Sequence, residues 1–309
     1  MDGFPTRRLG WRSLALVGVL ATFAVAATSA SAASPVYIAD YTSPGAILKL
    51  NPQTGKVTTV ASGAPLSQPS GITVANNGKL LVSDDGANAI FRVDPATGNV
   101  HQIASGPFVF PFDLEQSGDG SIYVTDADAG PGGTGAVFRV NPTNGNVATV
   151  VQGGNLLNPW GLTLGRRGKL FLADDQENSS GNNGRIFKVN IANKSVRIVA
   201  TGGKLVDPTG LQLGPGGDLF TTDYAGGPND TGAVFRVDPG SGNVKTVRSG
   251  PPLDEMFGID FNSQGRMFVP AAPDTNDDPA VFRMTASGGA LSTFLSAKLS
   301  EPYGVAVGN

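Results

Sequence analysis

"PSGITVANNGKLLVSD" occupies residues 69–84 and contains the spacing that decides the fold. Gly71 is followed seven residues later by Gly78, and Asp84 comes six residues after that. The spacing recurs at Asp113/Gly120/Asp126, Gly161/Gly168/Asp174, Gly210/Gly217/Asp223 and Gly258/Gly265/Ala271. Successive repeats begin 42 to 49 residues apart, a period typical of the blades of a β-propeller.

Each repeat contains four short stretches rich in β-branched and aromatic residues, separated by turn residues. In the quoted repeat they are "GITVA" (71–75), "KLLVSD" (79–84), "AIFRVD" (89–94) and "VHQIAS" (100–105). Such runs predict strands, which we call A to D in chain order.

The two ends of the chain each carry part of one further repeat. "VYIAD", "AILKL" and "VTTVAS" (36–62) supply strands B, C and D, and "YGVAV" (303–307) supplies strand A. A blade shared between the two ends closes a ring and leaves no open sheet edge. The sequence therefore predicts an all-β, six-bladed β-propeller with four-stranded antiparallel blades.

Residues 1–32 have the pattern of a signal peptide. Arg7, Arg8 and Arg12 precede an apolar stretch (14–27), and Ala30-Ser31-Ala32 fits a cleavage site. We expect a signal peptide at 1–32, a propeller at 33–309, and a secreted protein, including one in a periplasmic or cell-wall space. The segment fits both Sec and twin-arginine export.

The composition restricts the chemistry. The chain has no Cys, so thiolate chemistry is excluded, and its one His, His101, lies on a predicted strand D far from the axis, so a Ser–His–Asp triad is not expected. A net charge of −3 without a basic patch argues against nucleic acid as a partner. No segment after residue 32 is apolar enough for a membrane anchor, and we expect a monomer.

The loops predict which face of the ring is functional. In an antiparallel blade the A–B and C–D turns lie on one face (bottom), and the B–C and D–A connections lie on the other (top). We number the blades in chain order and take the blade shared between the two ends as blade 1. The segment from the Asp position of strand B to the aromatic residue or Leu of strand C spans 8 residues in blade 1 and 7 in blade 2. In blades 3 to 6 it spans 11 to 13 residues. Variable loops on one face favour a top binding face, although surface loops also drift in length without function.

The residues that enter strand A are candidates for ligand binding at the mouth of the central channel. They are Ser70, Phe112, Trp160, Thr209, Phe257 and Tyr303. An aromatic rim suits a sugar face, an aromatic ring or a partner's apolar side chain. The alternative is that these residues pack beneath the D–A connections and meet no ligand.

Two positions earlier, four neighbouring blades carry Asn158, Asp207, Glu255 and Glu301. These oxygen donors would suit Ca²⁺ or another divalent cation, and Glu255 and Glu301 are candidate catalytic carboxylates. The alternative is a set of solvated loop acids. No cofactor follows with certainty from the sequence.

Two further acidic series lie on the strands. Glu115 and Asp260 occupy an alternating polar position of strand A and are expected to be buried or to line a water-filled channel. The strand B series is Asp40, Asp84, Asp126, Asp174 and Asp223. Because it recurs in nearly every blade, we interpret it as architectural, accepting backbone N–H bonds in the B–C turn.

"PSGITVANNGKLLVSD" and "PWGLTLGRRGKLFLAD" resemble NHL repeats and the SMP-30/gluconolactonase and strictosidine-synthase-like propellers, over residues 34–309. The resemblance implies a six-bladed propeller whose relatives include hydrolases, a condensing enzyme and binding domains. SMP-30-like lactonases hold a divalent cation with one Glu and several Asn or Asp. Glu301 resembles that Glu, whereas Ser70, Trp160 and Thr209 stand where that group carries Asn.

The sequence leads us to expect a binding propeller that takes a small molecule, a glycan or a protein at its top face. The first alternative is a metal-dependent hydrolase or lactonase. The second is a Glu-based enzyme of the strictosidine-synthase type. Whether the chain is an enzyme stays open at this point.

Overall fold

A computed structural model describes residues 34–176, 183–271 and 278–308, and these residues form six four-stranded antiparallel sheets. Each sheet corresponds to one repeat, which confirms the predicted six-bladed propeller. The predicted signal peptide lies outside the described residues. No helix in the described ranges is long and apolar enough to cross a membrane.

Blades 1 to 3 contain the first eleven strands and the last one. Blade 1 consists of β24 (Pro302–Val307), β1 (Val36–Asp40), β2 (Ala46–Leu50) and β3 (Val57–Ser62). Blade 2 consists of β4 (Pro69–Val74), β5 (Leu80–Asp84), β6 (Ala89–Val93) and β7 (Val100–Ser105). Blade 3 consists of β8 (Pro111–Gln116), β9 (Ile122–Gly130), β10 (Thr134–Val140) and β11 (Val147–Gln152).

Blades 4 to 6 follow the same order. Blade 4 consists of β12 (Pro159–Gly165), β13 (Lys169–Asp174), β14 (Arg185–Asn190) and β15 (Ser195–Thr201). Blade 5 consists of β16 (Pro208–Leu213), β17 (Leu219–Asp223), β18 (Ala233–Val237) and β19 (Val244–Ser249). Blade 6 consists of β20 (Asp260–Phe261), β21 (Arg266–Ala271), β22 (Ala280–Thr285) and β23 (Ser292–Leu295).

Blade 1 closes the ring as predicted. β24 pairs antiparallel with β1, with Val36 opposite Val307 and Asp40 opposite Pro302. The apolar core is likewise distributed around the ring, since buried side chains form one cluster at each of the six junctions between neighbouring blades. The strand C phenylalanines, such as Phe91 and Phe187, are fully buried within these clusters.

The strand B aspartates are architectural, as predicted, and they do more than close the B–C turn. Asp126 accepts bonds from the backbone N–H of Asp128 and Ala129 in that turn, at 3.1 and 2.9 Å. It also accepts bonds from Val109 and Phe110 in the preceding D–A connection, at 2.9 and 3.0 Å. The series therefore fixes the backbone that leads into strand A on the top face.

Blade 6 lacks this carboxylate and differs where it is missing. Ala271 stands in the Asp position, and β20 contains only two residues. The connection that precedes β20 touches β21 through one isolated bridge, between Met256 and Ala271. This bridge is equivalent to the Pro69–Asp84 pair of blade 2, and the short strand A occurs in the one blade that lacks the carboxylate at this position.

The long B–C loops are built in different ways. In blade 3 the loop extends the hairpin, so that β9 runs to Gly130 and pairs there with Thr134. In blade 5 the loop contains a short 3₁₀ turn, Pro228–Asp230. Residues 177–182 of blade 4 and 272–277 of blade 6 lie outside the described residues.

Candidate functional site

A β-bulge at the start of strand A places one residue of each repeat at the channel mouth. In blade 2, Pro69 pairs with Asp84 and Ile72 pairs with Val82, so two residues oppose Ser83 alone. Bulges re-aim side chains in this way. The glycine of the bulge is required by a close approach, because a Cβ on Gly71 would lie 2.3 Å from the carbonyl oxygen of Phe112 in the next blade.

The four aromatic residues of this series meet across the mouth. Phe112 and Trp160 lie edge to face with ring centroids 4.2 Å apart, and Phe257 stacks on Tyr303 at 4.0 Å. Trp160 and Phe257 are 5.9 Å apart, which joins the two pairs. The predicted aromatic rim is therefore a continuous layer over the mouth.

The two hydroxyl residues of the series are placed differently. Ser70 and Thr209 are buried, and each donates a hydrogen bond to the neighbouring blade. Ser70 Oγ bonds to the carbonyl of Pro111 at 2.9 Å, and Thr209 Oγ1 bonds to that of Met256 at 2.6 Å. These side chains join blades below the surface, and we leave them out of the proposed binding site.

Three aromatic residues that sequence reasoning did not select extend the layer. Tyr41 stacks on Tyr303 at 4.2 Å, Phe110 lies 5.7 Å from Trp160, and Tyr224 lies 5.7 Å from Phe257. Tyr41 and Tyr224 each follow the strand B Asp directly, and that position was the available signal. We call the seven residues the aromatic cluster: Tyr41, Phe110, Phe112, Trp160, Tyr224, Phe257 and Tyr303.

Carboxylates bind the polar atoms of the aromatic cluster. Tyr41 donates its hydroxyl to Asp85 Oδ2 at 2.5 Å. Trp160 Nε1 donates to Asp175 Oδ2 at 2.9 Å. Tyr224 donates its hydroxyl to Glu255 Oε1 at 3.0 Å. Each bond orients an aromatic ring and places a negative charge beside it.

The electrostatics of the site are those of a negative surface. Burial, followed by the negative charges of Glu301 and Glu255, raises the pKa of Tyr303 well above its ordinary value. Burial and Glu255 raise the pKa of Tyr224 to about 12. Burial also raises the pKa of Asp85 to about 6, although the Tyr41 hydroxyl opposes that shift. Tyr224 and Tyr303 therefore stay protonated at neutral pH beside these carboxylates.

Charge on the loops of the top face has the same sign. Among described residues, the B–C and D–A connections contain eight acids and only two cations, Lys204 and Lys298. The eight acids are Asp85, Asp175, Asp207, Asp230, Asp254, Glu255, Asp278 and Glu301.

The structure does not bring the predicted metal ligands together. Asn158 Nδ2 donates to Asp175 at 3.1 Å, Glu255 accepts the Tyr224 hydroxyl, and Glu301 is exposed. Within the described ranges, no three acidic, His or Cys side chains form a group that could hold a metal ion. Asp207, Glu255 and Glu301 thus form no such group.

Beneath the aromatic cluster, strands A line the channel with partly buried carboxylates. Glu115 accepts bonds from Thr163 Oγ1 at 3.1 Å and from the backbone N–H of Leu164 at 2.9 Å. Asp260 accepts a bond from Gln212 Nε2 at 3.1 Å. Two cavities here have a volume of about 20 Å³ each, room for roughly one water molecule in each.

These channel acids are expected to make the free energy of unfolding depend on pH, with lower stability at higher pH. Burial is the main cause that raises the pKa of Asp113 to about 8, of Glu115 to about 7 and of Asp260 to about 6. An acid whose pKa is raised by folding binds more protons in the folded state than in the unfolded state. Its stabilising contribution is complete below the unfolded-state pKa and is lost as the pH rises through the folded-state value.

We therefore expect the free energy of unfolding to fall between about pH 4 and about pH 8, by up to about 3 kcal/mol for Glu115 alone. Urea unfolding at a series of pH values measures this dependence. Glu115→Gln keeps the shape of the side chain and should flatten the curve. A wild-type stability that rises over this window, or an unchanged curve in the variant, would contradict the assignment.

No protein-family model matches the sequence, and no curated protein sequence matches it. Solved structures share the fold. A chain in the crystal structure of a nidogen/laminin complex superimposes with a TM-score of 0.73 at 17% identity, over 89% of this chain and 98% of that chain. Virginiamycin B lyase from Staphylococcus aureus gives a TM-score of 0.55 at 20% identity, over 76% of this chain and 73% of that chain. At these identities the likeness establishes the propeller fold alone.

Proposed function

We propose that the chain is an exported binding propeller whose top face takes a positively charged segment of a protein partner. The observation that carries this proposal is the aromatic cluster, together with the carboxylates bonded to its Tyr and Trp side chains. Tyr and Trp are over-represented among residues that dominate protein interfaces. A cation over an aromatic face is attracted by the ring, and by about 2 kcal/mol or more when desolvated.

The partner is expected to bring a Lys or Arg side chain to this layer. Tyr303 lies at its centre, stacked between Tyr41 and Phe257, with ring centroids 4.2 and 4.0 Å away. Asp85, Glu255 and Glu301 are close enough to raise the pKa of Tyr303. Both faces of the Tyr303 ring are covered by these neighbours, so a guanidinium or ammonium group would lie beside Tyr303, at the surface of the aromatic cluster, where it meets aromatic rings and carboxylates together.

A protein suits this surface better than a small molecule or glycan does. Small-molecule sites are usually concave, with volumes of roughly 300 Å³ or more. The cavities beneath the aromatic cluster are each about 20 Å³, and Phe112 and Phe257 are buried by their neighbours. The superimposed nidogen/laminin chain comes from a complex between proteins, which supports a protein partner.

The proposal that the chain is exported depends on the predicted signal peptide. If residues 1–32 are removed on secretion, N-terminal sequencing of protein recovered from outside the cytoplasm should begin at Ala33. Recovery of the chain with an intact Met1 in the cytoplasmic fraction would overturn this part of the proposal.

The binding proposal can be tested with random peptides displayed on phage and selected against the chain. We expect the selected peptides to share Arg or Lys residues, and their binding to weaken as salt concentration rises. As a control, a selected peptide is synthesised with citrulline in place of Arg, which keeps the shape of the side chain and removes its charge. Failure to select any peptide, or equal binding of the citrulline form, would contradict the proposal.

A second candidate is a carboxylate-dependent enzyme, favoured by the backbone of Glu255. This residue has φ = 41°, in the left-handed region that a side chain larger than Gly seldom adopts, and such strain often marks functional sites. Its carboxylate contacts Tyr224 at the channel mouth. Lactone turnover, measured with and without added divalent cations, tests the hypothesis of a carboxylate-dependent enzyme. Activity lost in Glu255→Gln but kept in Asp254→Asn would support it, and absence of turnover would remove it.

A further inference from the structure

The bottom face carries a groove lined by cations, on blade 4 and its junction with blade 5. A cavity of about 420 Å³ is lined by Arg166, Lys169 and Lys188 together with turn residues of blade 5. A second cavity, of about 270 Å³, shares Lys169 and Lys188 and continues to Arg197 on the outer strand. We call Arg166, Lys169, Lys188 and Arg197 with the space between them the cationic groove. The sequence predicted no basic patch, and this groove corrects that prediction, because its cations are spread over residues 166–197 and meet only in the folded blade.

The strand register places these side chains on one face of the sheet. Lys188 pairs with Phe171 on one side and with Arg197 on the other. Lys169 lies two residues from Phe171 on the same strand, and alternate residues share a face. Like charges opposite each other across a strand pair are destabilising, so the Lys188–Arg197 pair lowers stability in the free protein.

The other blades provide an internal comparison, because the repeat defines equivalent positions. Four positions per blade correspond to Lys169, Lys188, Asn190 and Arg197, and they carry a formal charge of +3 in blade 4. The equivalent residues of blade 2 are Lys79, Arg92, Asp94 and His101, with a charge of +1 when His is neutral. Those of blade 5 are Asp218, Arg236, Asp238 and Lys245, with a charge of 0.

Blade 4 also lacks the acids that neutralise the equivalent cations in blades 2 and 5. Lys79 forms a salt bridge with Asp94 in blade 2, and Arg236 forms one with Asp218 in blade 5. In blade 4 the residue equivalent to Asp94 is Asn190, and the residue equivalent to Asp218 is Lys169 itself. Within the described ranges, no salt bridge involves Lys169, Lys188 or Arg197.

Neutral hydrogen-bonding groups lie among the cations. Asn190, Asn193 and Ser195 line the outer part of the groove. The side-chain oxygens of Asn190 and Asn193 accept backbone N–H bonds from Ala192 and Ser195, both at 3.1 Å, so their NH₂ groups stay available as donors. Neutral donors beside the cations match a ligand that carries both hydroxyl and acid groups.

We propose that the cationic groove binds an acidic polysaccharide, a linear sugar polymer that bears sulfate, phosphate or carboxylate groups. The cations would pair with the acid groups, and the Asn and Ser side chains with sugar hydroxyls. A single-stranded nucleic acid fits less well, because base stacking needs exposed aromatic rings and Phe171 is only 5% exposed, with Lys188 Nζ 5.5 Å from its centroid. This site lies on the face opposite the aromatic cluster and is independent of it.

Binding of dextran sulfate, with uncharged dextran as a control, tests the proposal on the exported chain. We expect dextran sulfate to bind with an affinity that falls with salt, and dextran not to bind. The triple variant Lys169→Gln, Lys188→Gln, Arg197→Gln should weaken binding by about ten-fold or more, since three charge contacts are lost. Its thermal stability should equal or exceed that of the wild type, because the like-charge pair is removed.

A matched variant distinguishes the groove from net charge. Lys56→Gln, Lys245→Gln, Lys298→Gln removes the same charge from exposed positions elsewhere and should bind as the wild type does. Equal weakening in both variants, or no binding of dextran sulfate, would overturn the proposal. Tighter groove-dependent binding of polyuridylate or of phosphatidylserine vesicles would also overturn it, by assigning the groove to nucleic acid or to a lipid surface.

Discussion

Replacing Trp160 and Tyr303 by alanine is expected to weaken partner binding by about 100-fold or more, because each ring has the placement of an interface hot spot. The two rings join the aromatic cluster into one layer, through contacts with Phe257 at 5.9 and 4.0 Å. Affinity for an Arg-containing peptide selected on the wild-type chain is the quantity to measure. Retained affinity in the double variant would exclude the aromatic cluster as the binding site.

Two controls separate binding from folding in this experiment. Phe261→Ala with Phe294→Ala removes two partly buried aromatic rings of blade 6 that do not belong to the aromatic cluster, and this variant should keep the affinity. Asp85→Asn with Glu255→Gln keeps the ring contacts and removes charge, and it should weaken an Arg peptide but not its citrulline form. Circular dichroism at the temperature of the assay checks that each variant is folded.

Replacing Asp126 by alanine is expected to lower the free energy of unfolding by about 4 kcal/mol, since four backbone N–H groups lose their acceptor. Urea unfolding measures the change. Asp119→Ala removes an exposed aspartate of the same blade, whose salt bridge to Arg139 is at the surface, and should cost less than about 1 kcal/mol. Equal effects of the two substitutions would contradict the architectural role of the series.

Blade 6 contains a natural version of that substitution. Ala271 replaces the aspartate there, and strand A of the blade is reduced to Asp260–Phe261. A shortened strand is the expected local consequence in blade 3 of Asp126→Ala, in addition to the loss of stability. Phe110, whose N–H bonds to Asp126, would then lose its fixed place in the aromatic cluster.

The fold could be predicted from the sequence because its signals are local and repeated. The Gly and Asp spacings mark turns and blade junctions, and the split repeat at the two ends requires β24 to pair with β1. The structure adds the reason for the glycine. A Cβ on Gly161 or Gly304 would lie 2.3 or 2.5 Å from a carbonyl oxygen of the next blade, so the ring closes tightly only with Gly there.

The candidate site could be predicted only in part, because it depends on distances across the ring. The sequence placed Phe112, Trp160, Phe257 and Tyr303 around the mouth, but whether four rings meet depends on the diameter of the channel. The sequence also does not show in which direction the side chains of Asp207, Glu255 and Glu301 point, and in the structure these three do not form a metal-binding group.

The sequence did not reveal four site residues, because they directly follow the recurring Gly and Asp spacing and are not part of it. They are Tyr41, Asp85, Asp175 and Tyr224. The residue at this position is Tyr, Asp, Ala, Asp and Tyr in blades 1 to 5, so no single repeat reveals the pairing. The pairing appears only across blades, where Tyr41 of blade 1 meets Asp85 of blade 2. The same kind of cross-blade contact joins Tyr224 of blade 5 to Glu255 of blade 6.

The most direct test of the central claim is the fluorescence of Trp160, the only Trp after residue 32. Its indole lies within the aromatic cluster and donates to Asp175, so a ligand that binds there should change its emission. The proposal predicts a saturable change on titration with the selected Arg peptide and a much smaller one with the citrulline form. Peptide binding that leaves Trp160 emission unchanged, or that is indifferent to the Arg charge, would contradict it.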